Sequence, residues 1–473
     1  MATEARAPRS VTTAVDVPRP PSVDRILSIL GALGVEVSEP AALTVLVREV
    51  IDDERRRLAA GTAPTAATDL AEMVQDRLDE LGDPDLTIPP RVINATGVIL
   101  HTNLGRAPWP RAASLAAIQA ARSYGYLELD EATGRRGTRD RVAEDHLVAL
   151  TGAEDALVVT NNAAALALAV GLAGRRGSIV VSRGELVEIG GGVRIPDVLA
   201  RAGVRLIEVG TTNRTRAADF EPPLAEGRAR VVLRVHPSNF AISGFTESAD
   251  LAEVSAIAHR HGAIVIDDLG SGALLDTSAF GLAHEPTPTE RLAAGADLVL
   301  FSGDKLVGGP QAGLIVGRHD LVARVRRDPL ARAVRPDKAI LAGVAATLAI
   351  HRAGRAALDI PVWQLIALDA ETLRSRATAI LERARAAGRM DVSVVELEAP
   401  VGGGSLPGQV LRSFGVSVPV GSPARAAATL RAGPDRILPR ILDGAIVFDL
   451  RTVTPLDDET IVRRIAELRP ARR

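Results

Sequence analysis

From about residue 91 onward, short apolar runs alternate with helix-length stretches, and this alternation restricts the possible fold more than any other feature of the chain. The runs cover residues 156–159, 178–182, 204–209, 230–235, 263–267, 297–301 and 313–317. Helical patterns at 163–173, 195–202 and 250–261 lie between several of them. Strands that are apolar throughout are buried on both faces, so the pattern predicts an α/β fold with a mostly parallel sheet covered by helices. In such sheets ligands sit at the carboxyl ends of the strands.

The flanking regions read differently. Residues 1–21, rich in Pro, Arg, Ala and Thr, suggest a mobile tail. Residues 22–88 suggest a small all-helical domain. Ser22 caps a helix at 23–33, Pro40 opens one at 41–58, and a third covers 68–81. Gly82-Asp-Pro84 and Pro89-Pro90 close this unit, which carries Arg48 and the cluster Arg55-Arg56-Arg57. Residues 89–340 then form the sheet domain, and 341–473 an α+β C-terminal domain. The latter begins with a long helical stretch through 379–387 and continues with a strand at 392–396 and a flexible Gly402-Gly403-Gly404. A helix near 424–431, a hairpin over 441–448 turning at Asp443-Gly444, and a closing helix at 456–468 complete it.

Composition excludes several chemistries. The absence of cysteine removes disulfides, thiolate metal sites and a cysteine nucleophile, and fits a cytoplasmic protein. The N-terminus lacks the pattern of a signal peptide, and the longest apolar stretch, 339–350, is too short to span a bilayer. A net charge of −2 provides no global basic field, so a polyanion must bind local arginine clusters. Neither a membrane nor DNA is expected as a partner.

Of the 56 basic residues only Lys305 and Lys338 are lysine, leaving 54 arginines. Where arginine serves almost every need for positive charge, a surviving lysine is a candidate for amine chemistry, because an amine can lose its proton and attack a carbonyl. Lys338, in Arg-Pro-Asp-Lys-Ala, reads as a surface residue. Lys305 directly follows an apolar run, in Ser302-Gly303-Asp304-Lys305. Three strand ends then form a constellation. Asn161-Asn162-Ala163 opens a helix whose N–H groups suit a phosphate. Asp268 ends a strand ahead of small residues, where an acid can pair with a pyridinium nitrogen. Ser302 offers a phosphate-binding hydroxyl and Lys305 a Schiff-base amine. Together these describe pyridoxal 5′-phosphate (PLP) held by a lysine. Neither lysine fits the Gly-x-x-x-x-Gly-Lys nucleotide loop. No metal is expected, because His259 and His261 read as a surface pair and His101 and His236 as polar groups of the pocket.

Longer motifs carry a resemblance. Arg91-Val-Ile-Asn-Ala-Thr-Gly-Val-Ile-Leu-His-Thr-Asn-Leu-Gly-Arg106, Glu131-Ala-Thr-Gly-Arg-Arg-Gly-Thr-Arg139, Ser182-Arg-Gly-Glu-Leu-Val-Glu-Ile-Gly-Gly191, Asp268-Leu-Gly-Ser-Gly272, Ser302-Gly-Asp-Lys-Leu-Val-Gly-Gly-Pro-Gln-Ala-Gly313 and Asp443-Gly-Ala-Ile-Val-Phe-Asp-Leu-Arg-Thr-Val453 resemble the bacterial selenocysteine synthases, L-seryl-tRNA(Sec) selenium transferases. The resemblance runs from about Pro21 to the end. It implies a PLP-dependent fold of the aspartate-aminotransferase type (fold type I) and a homodecamer built from dimers. It further implies conversion of seryl-tRNA(Sec) to selenocysteinyl-tRNA(Sec) with selenophosphate, through a dehydroalanyl-tRNA. Lys305 carries the cofactor and takes the Cα proton, with Asp304 beside it as a catalytic acid. Arg106, Arg139, Arg332 and Arg335 receive the selenium donor, although Arg135 and Arg136 lie in the same loop. Residues 22–88 are expected to dock on the tRNA body through Arg48 and Arg55–Arg57, as a basic helical unit. Two other readings remain. One is a PLP lyase for a small phosphorylated amino acid or amino-sugar acid, which would not need the helical domain. The other is a tRNA-binding scaffold with a dead site, against which Lys305, Asp268 and Ser302 argue.

Overall fold

The computed structural model describes residues 18–82, 88–137, 139, 141–189, 192–237 and 244–470. Most of the expected tail, the Asp-Pro segment after Gly82, and parts of the motifs ending at Arg139 and Gly191 lie outside them. The chain divides into two compact units, Met1–Arg91 and Val92–Arg473.

Among the described residues the first unit holds three helices, α1 (Val23–Ala32), α2 (Pro40–Ala59) and α3 (Ala67–Gly82). Ser22 Oγ accepts from the Arg25 N–H at 3.3 Å, as its position predicts, and Pro40 opens α2. Ile26, Leu30, Val47, Val50, Ile51, Leu70 and Val74 turn inward to form one apolar core. The expectation of a basic surface needs correction. Arg55, Arg56 and Arg57 each pair with the acid three residues earlier, Asp52, Asp53 and Glu54. Residues 18–82 contain seven arginines, no lysine and twelve carboxylates, a net charge of −5.

Among the described residues the second unit is built on two main sheets and a two-stranded ribbon, β4 with β5. Its strands are β1 (Ile93–Ala95), β2 (Asp155–Val159), β3 (Ser178–Ser182), β4 (Glu188–Ile189), β5 (Val193–Arg194), β6 (Arg205–Val209), β7 (Val231–Val235), β8 (Ile264–Gly270), β9 (Leu298–Ser302), β10 (Gly313–Gly317), β11 (Ser393–Pro400), β12 (Val410–Pro419), β13 (Ile437–Leu442) and β14 (Ala445–Asp449). The large sheet has the order β2-β10-β9-β8-β7-β3-β6. Only β10 runs against its neighbours, and the pairs from β9 to β6 are all parallel. All seven expected runs are strands of this sheet. Alternate side chains enter two separate cores, with Val180, Val232, Val265 and Val299 on one face and Ile179, Leu233, Ile266 and Leu300 on the other. The continuous apolar pattern therefore reflects burial on both sides.

The second sheet has the order β1-β13-β14-β12-β11. Asp443 and Gly444 turn β13 into β14 with φ of 48° and 75°, the left-handed pair that a two-residue hairpin requires. The sequence pattern shows no strand at 410–419, yet β12 is an interior strand here, between β14 and β11. Its alternation is interrupted by Gly415 and by buried Ser413, whose hydroxyl donates to Asp449 Oδ1 at 2.6 Å. A second difference concerns the domain limits. β1 pairs in parallel with β13, so the first residues placed in the sheet domain belong to the C-terminal sheet. The limit at 340/341 cuts the helix Lys338–Arg352, which packs on the helices Arg111–Arg122 and Val142–Thr151.

Trp363 joins the C-terminal part to the loop after β9. It is fully buried, and its Nε1 donates to Leu306 O at 2.7 Å. Beside it Gly308 approaches so closely that a Cβ there would lie 2.3 Å from Ile360 Cγ2. Replacing Trp363 with Phe leaves the Leu306 carbonyl buried without a donor. The expected cost is about 1–3 kcal/mol, read as a lower denaturation midpoint at unchanged slope.

Candidate active site around Lys305

The carboxyl ends of β2, β7, β8 and β9 meet at one edge of the large sheet and carry the polar residues singled out by sequence. Asp268 lies in β8 and is buried. Asn162 Nδ2, in the first turn of the helix Asn162–Val170, donates to its Oδ1 at 2.8 Å. Burial pushes the Asp268 carboxyl up to about 6, against the Asn162 hydrogen bond and the nearby positive charge of Lys305. Asn161 caps the helix by accepting from the Ala164 N–H at 2.9 Å, which leaves the first-turn N–H of Ala163 outside the helical ladder.

Ser302 ends β9 and is buried, and a tight turn carries the chain on to Asp304 and Lys305. Gly303 N–H donates to Ala312 O and Gly308 N–H to Lys305 O. Lys305 is 7% exposed, and its Nζ donates to Gly404 O at 3.1 Å. Burial lowers the amine's pKa. The Asp268 carboxylate opposes this, and the charge of Arg106 reinforces it. Asp304 is also buried, and Arg106 Nη1 donates to its Oδ2 at 2.7 Å. Arg106 takes a left-handed φ of 63° directly after Gly105, which bends its segment back toward Asp304.

The reading of Gly402–Gly404 as a flexible run needs correction. Gly402 bridges Leu100, and Gly403 N–H donates to Leu100 O. A Cβ on Gly404 would lie 2.4 Å from Lys305 Nζ. These glycines allow close approach rather than movement. Asn162 has a wider role than expected, because its side chain engages Asp268 while its helix offers the N–H groups.

The arginines expected to receive the selenium donor fall into two groups. Arg106 stands beside Asp304. Arg139 and Arg335, joined by Arg136, surround one carboxylate, Glu128, at 3.0, 2.7 and 2.6 Å. Burial pushes the Glu128 carboxyl up, but the Arg139 hydrogen bond and the charges of Arg335 and Arg136 outweigh it and hold the group below its usual range. Arg332 is exposed in the short helix Pro329–Ala333. Thr160 N–H donates to Val334 O at 2.9 Å, which ties this segment to the strand end carrying Asn162. No sequence signal marked Glu128. The run of glycines was the available clue to Gly404.

The histidines divide as well. His259 Nε2 lies 2.9 Å from Asp297 Oδ2, and His261 faces Glu221. His236 N–H donates to Asp268 O, and its ring Nδ1 lies 3.9 Å from Glu285 Oε1. Among the described residues no group of three or more His, Asp or Glu has an arrangement that could hold a metal ion.

The residues fit PLP. Asn162 Oδ1, His101 Nδ1, Ser271 Oγ and Ser405 Oγ are buried without a protein partner, on segments that adjoin Asp268 or Lys305. Ser271 O accepts from Leu306 N–H, and Ser405 follows the glycine that holds the amine. Asp268 would hold the ring nitrogen, Lys305 the reactive carbon, and Ala163 and Ser302 the phosphate.

Two outcomes are expected. Gly404→Ala should displace the Lys305 amine and lower the PLP retained per chain, measured after purification with the cofactor in excess. The second concerns Asp268. Its folded pKa lies above its ordinary 3.8, so the folded state binds that proton more tightly. In cofactor-free protein this group should therefore lose about 3 kcal/mol of stability as pH rises from 3 to 7, and Asp268→Asn should remove that slope from a pH series of denaturation midpoints.

Comparison with known proteins agrees with this geometry. Residues 92–454 match the family model described as L-seryl-tRNA selenium transferase. The L-seryl-tRNA(Sec) selenium transferase of Rhizobium meliloti (strain 1021) is 42% identical, covering 96% of this chain and 98% of that protein. The protein of the same name from Moorella thermoacetica is 41% identical, covering 94% and 96%. Among solved structures, D-glucosaminate-6-phosphate ammonia-lyase superposes with a TM-score of 0.58 at 22% identity, covering 83% of this chain and 98% of that one, a likeness of fold. The chain belongs to the L-seryl-tRNA selenium transferase family.

Proposed function

We propose that this protein converts L-seryl-tRNA(Sec) to L-selenocysteinyl-tRNA(Sec) with selenophosphate, by β-elimination to a dehydroalanyl-tRNA followed by addition of selenium. The observation that carries the proposal is the buried Lys305 amine, held by Gly404 O between Asp268 and the Arg106–Asp304 pair, in a chain of this family.

PLP, when bound, supplies an electrophilic carbon for the seryl amine and an electron sink for the pair left at Cα. Asp268 holds a proton at the ring nitrogen, and Asn162 fixes the orientation of that carboxyl. Lys305 takes the Cα proton, which suits an amine whose pKa burial has lowered. The Cβ–O bond breaks, and its oxygen leaves as water with a proton delivered through Asp304, which Arg106 aligns. Selenium then bonds to Cβ, Lys305 returns the proton to Cα, and the P–Se bond breaks to water with release of phosphate. Arg106, Arg139, Arg332 and Arg335 hold the donor's oxyanions, with Arg139 and Arg335 turning to it from Glu128.

The helical unit, residues 22–88, docks on the tRNA body. Its acidic balance favours recognition of shape over bulk charge, with Arg48 exposed and Arg55–Arg57 reaching phosphate only by leaving Asp52, Asp53 and Glu54. The protein works as a homo-oligomer, a homodecamer built from dimers, in the cytoplasm. No helix among the described residues is long and apolar enough to cross a membrane.

The test is incubation of purified protein with seryl-tRNA(Sec) and selenophosphate, followed by analysis of the aminoacyl group. Selenocysteine is expected with the native chain and none with Lys305→Ala. Serine left unchanged by a PLP-loaded native protein overturns the reading.

A further inference from the structure

We propose that the surface formed by residues 122–137, 139 and 332–338 binds the unpaired nucleotides at the 3′ end of the tRNA, with Tyr124 and Tyr126 as stacking platforms. The proposal rests on the seryl-tRNA reading above.

The chain has only two tyrosines, and both lie in Tyr124-Gly125-Tyr126. Their exposures are 105% and 62%, although a tyrosine ring ordinarily covers apolar surface. The second of the two lysines reaches the residue before them, because Lys338 Nζ donates to the carbonyl of Ser123. Beyond the tyrosines the chain doubles back in a short tongue. Asp130 N–H donates to Arg135 O, Gly137 N–H to Glu128 O, and Leu129 bridges Arg136. Glu128 gathers Arg136, Arg139 and Arg335 from two separate segments.

Charge separates this surface from the rest of the molecule. The two segments contain six arginines and Lys338 against four carboxylates, a net charge of +3. The whole chain carries −2 and residues 18–82 carry −5. An exposed aromatic pair beside clustered arginines matches single-stranded nucleic acid, whose bases stack on rings while its phosphates pair with guanidinium groups. A duplex cannot use the tyrosines, because its base faces are already stacked. Of the unpaired stretches of an aminoacyl-tRNA, the 3′ end is the one that bears the amino acid and must come to the Lys305 site. The Thr160–Val334 hydrogen bond ties the segment that carries Arg335, and through Arg335 the Glu128 cluster, to the strand end that presents Asn162.

The test compares PLP-loaded native protein, Tyr124→Ala/Tyr126→Ala and Tyr124→Phe/Tyr126→Phe. Affinity is measured for tRNA(Sec) and for the same tRNA trimmed of its unpaired 3′ nucleotides. The alanine pair should weaken binding of the full tRNA at least about fivefold and leave binding of the trimmed tRNA unchanged. The phenylalanine pair should keep native affinity, since it retains the rings. Equal losses on both RNAs, or no loss on either, overturn the proposal. A change in oligomeric state in the alanine pair also overturns it, and assigns the face to contact between copies, for which Leu115 and Ile118 are exposed nearby. Failure of the native protein to bind tRNA at all defeats the underlying function instead.

Discussion

The burial of one amine governs the architecture of the site. A lysine nitrogen withdrawn from water needs an acceptor and a nearby negative charge. Lys305 has Gly404 O at 3.1 Å and the Asp268 and Asp304 carboxylates around it. The same burial lowers the pKa of the amine and raises that of Asp268. One act of desolvation thus prepares both a base and an acid. It also explains the glycines. The Gly404 carbonyl reaches the amine only because no side chain stands in the way, and Gly402 and Gly403 bring the strand against Leu100 for the same reason.

The two sheets are interlocked around that amine. The second unit begins in the C-terminal sheet with β1, crosses to the large sheet through Leu100 and Arg106, and returns only after the helix Lys338–Arg352. Residues 99–107, 302–306 and 401–405 therefore meet although they are far apart in sequence. Trp363 closes the same loop from behind. The division between catalytic and C-terminal parts runs through the site rather than beside it.

Charge is distributed by pairing. The run Arg55–Arg57 suggests a basic surface on the helical unit, yet each of the three pairs with a carboxylate three residues earlier, and Arg77 pairs with Asp53. Glu128 behaves differently, because one carboxylate holds three guanidinium groups and leaves positive charge in excess. An arginine cluster read from sequence becomes informative only when its carboxylate partners are known.

Much of this could be read from the chain itself. The seven apolar runs named the strands of the large sheet, because burial on both faces leaves a continuous pattern. The scarcity of lysine singled out Lys305, and the residues at neighbouring strand ends named Asp268, Asn162 and Ser302. Capping residues and the Asp443-Gly444 turn were legible because they act within a few residues. Tertiary structure alone decided what depends on distant contacts. β12 is a strand because β11 and β14 hydrogen-bond to it, despite its buried serine and its glycine. β1 belongs to the far sheet because β13 pairs with it. Gly404 holds Lys305, and Glu128 gathers arginines from two segments, through approaches that no local pattern records. Local periodicity and the chemistry of side chains are written in sequence, whereas long-range pairing is settled only when the chain packs.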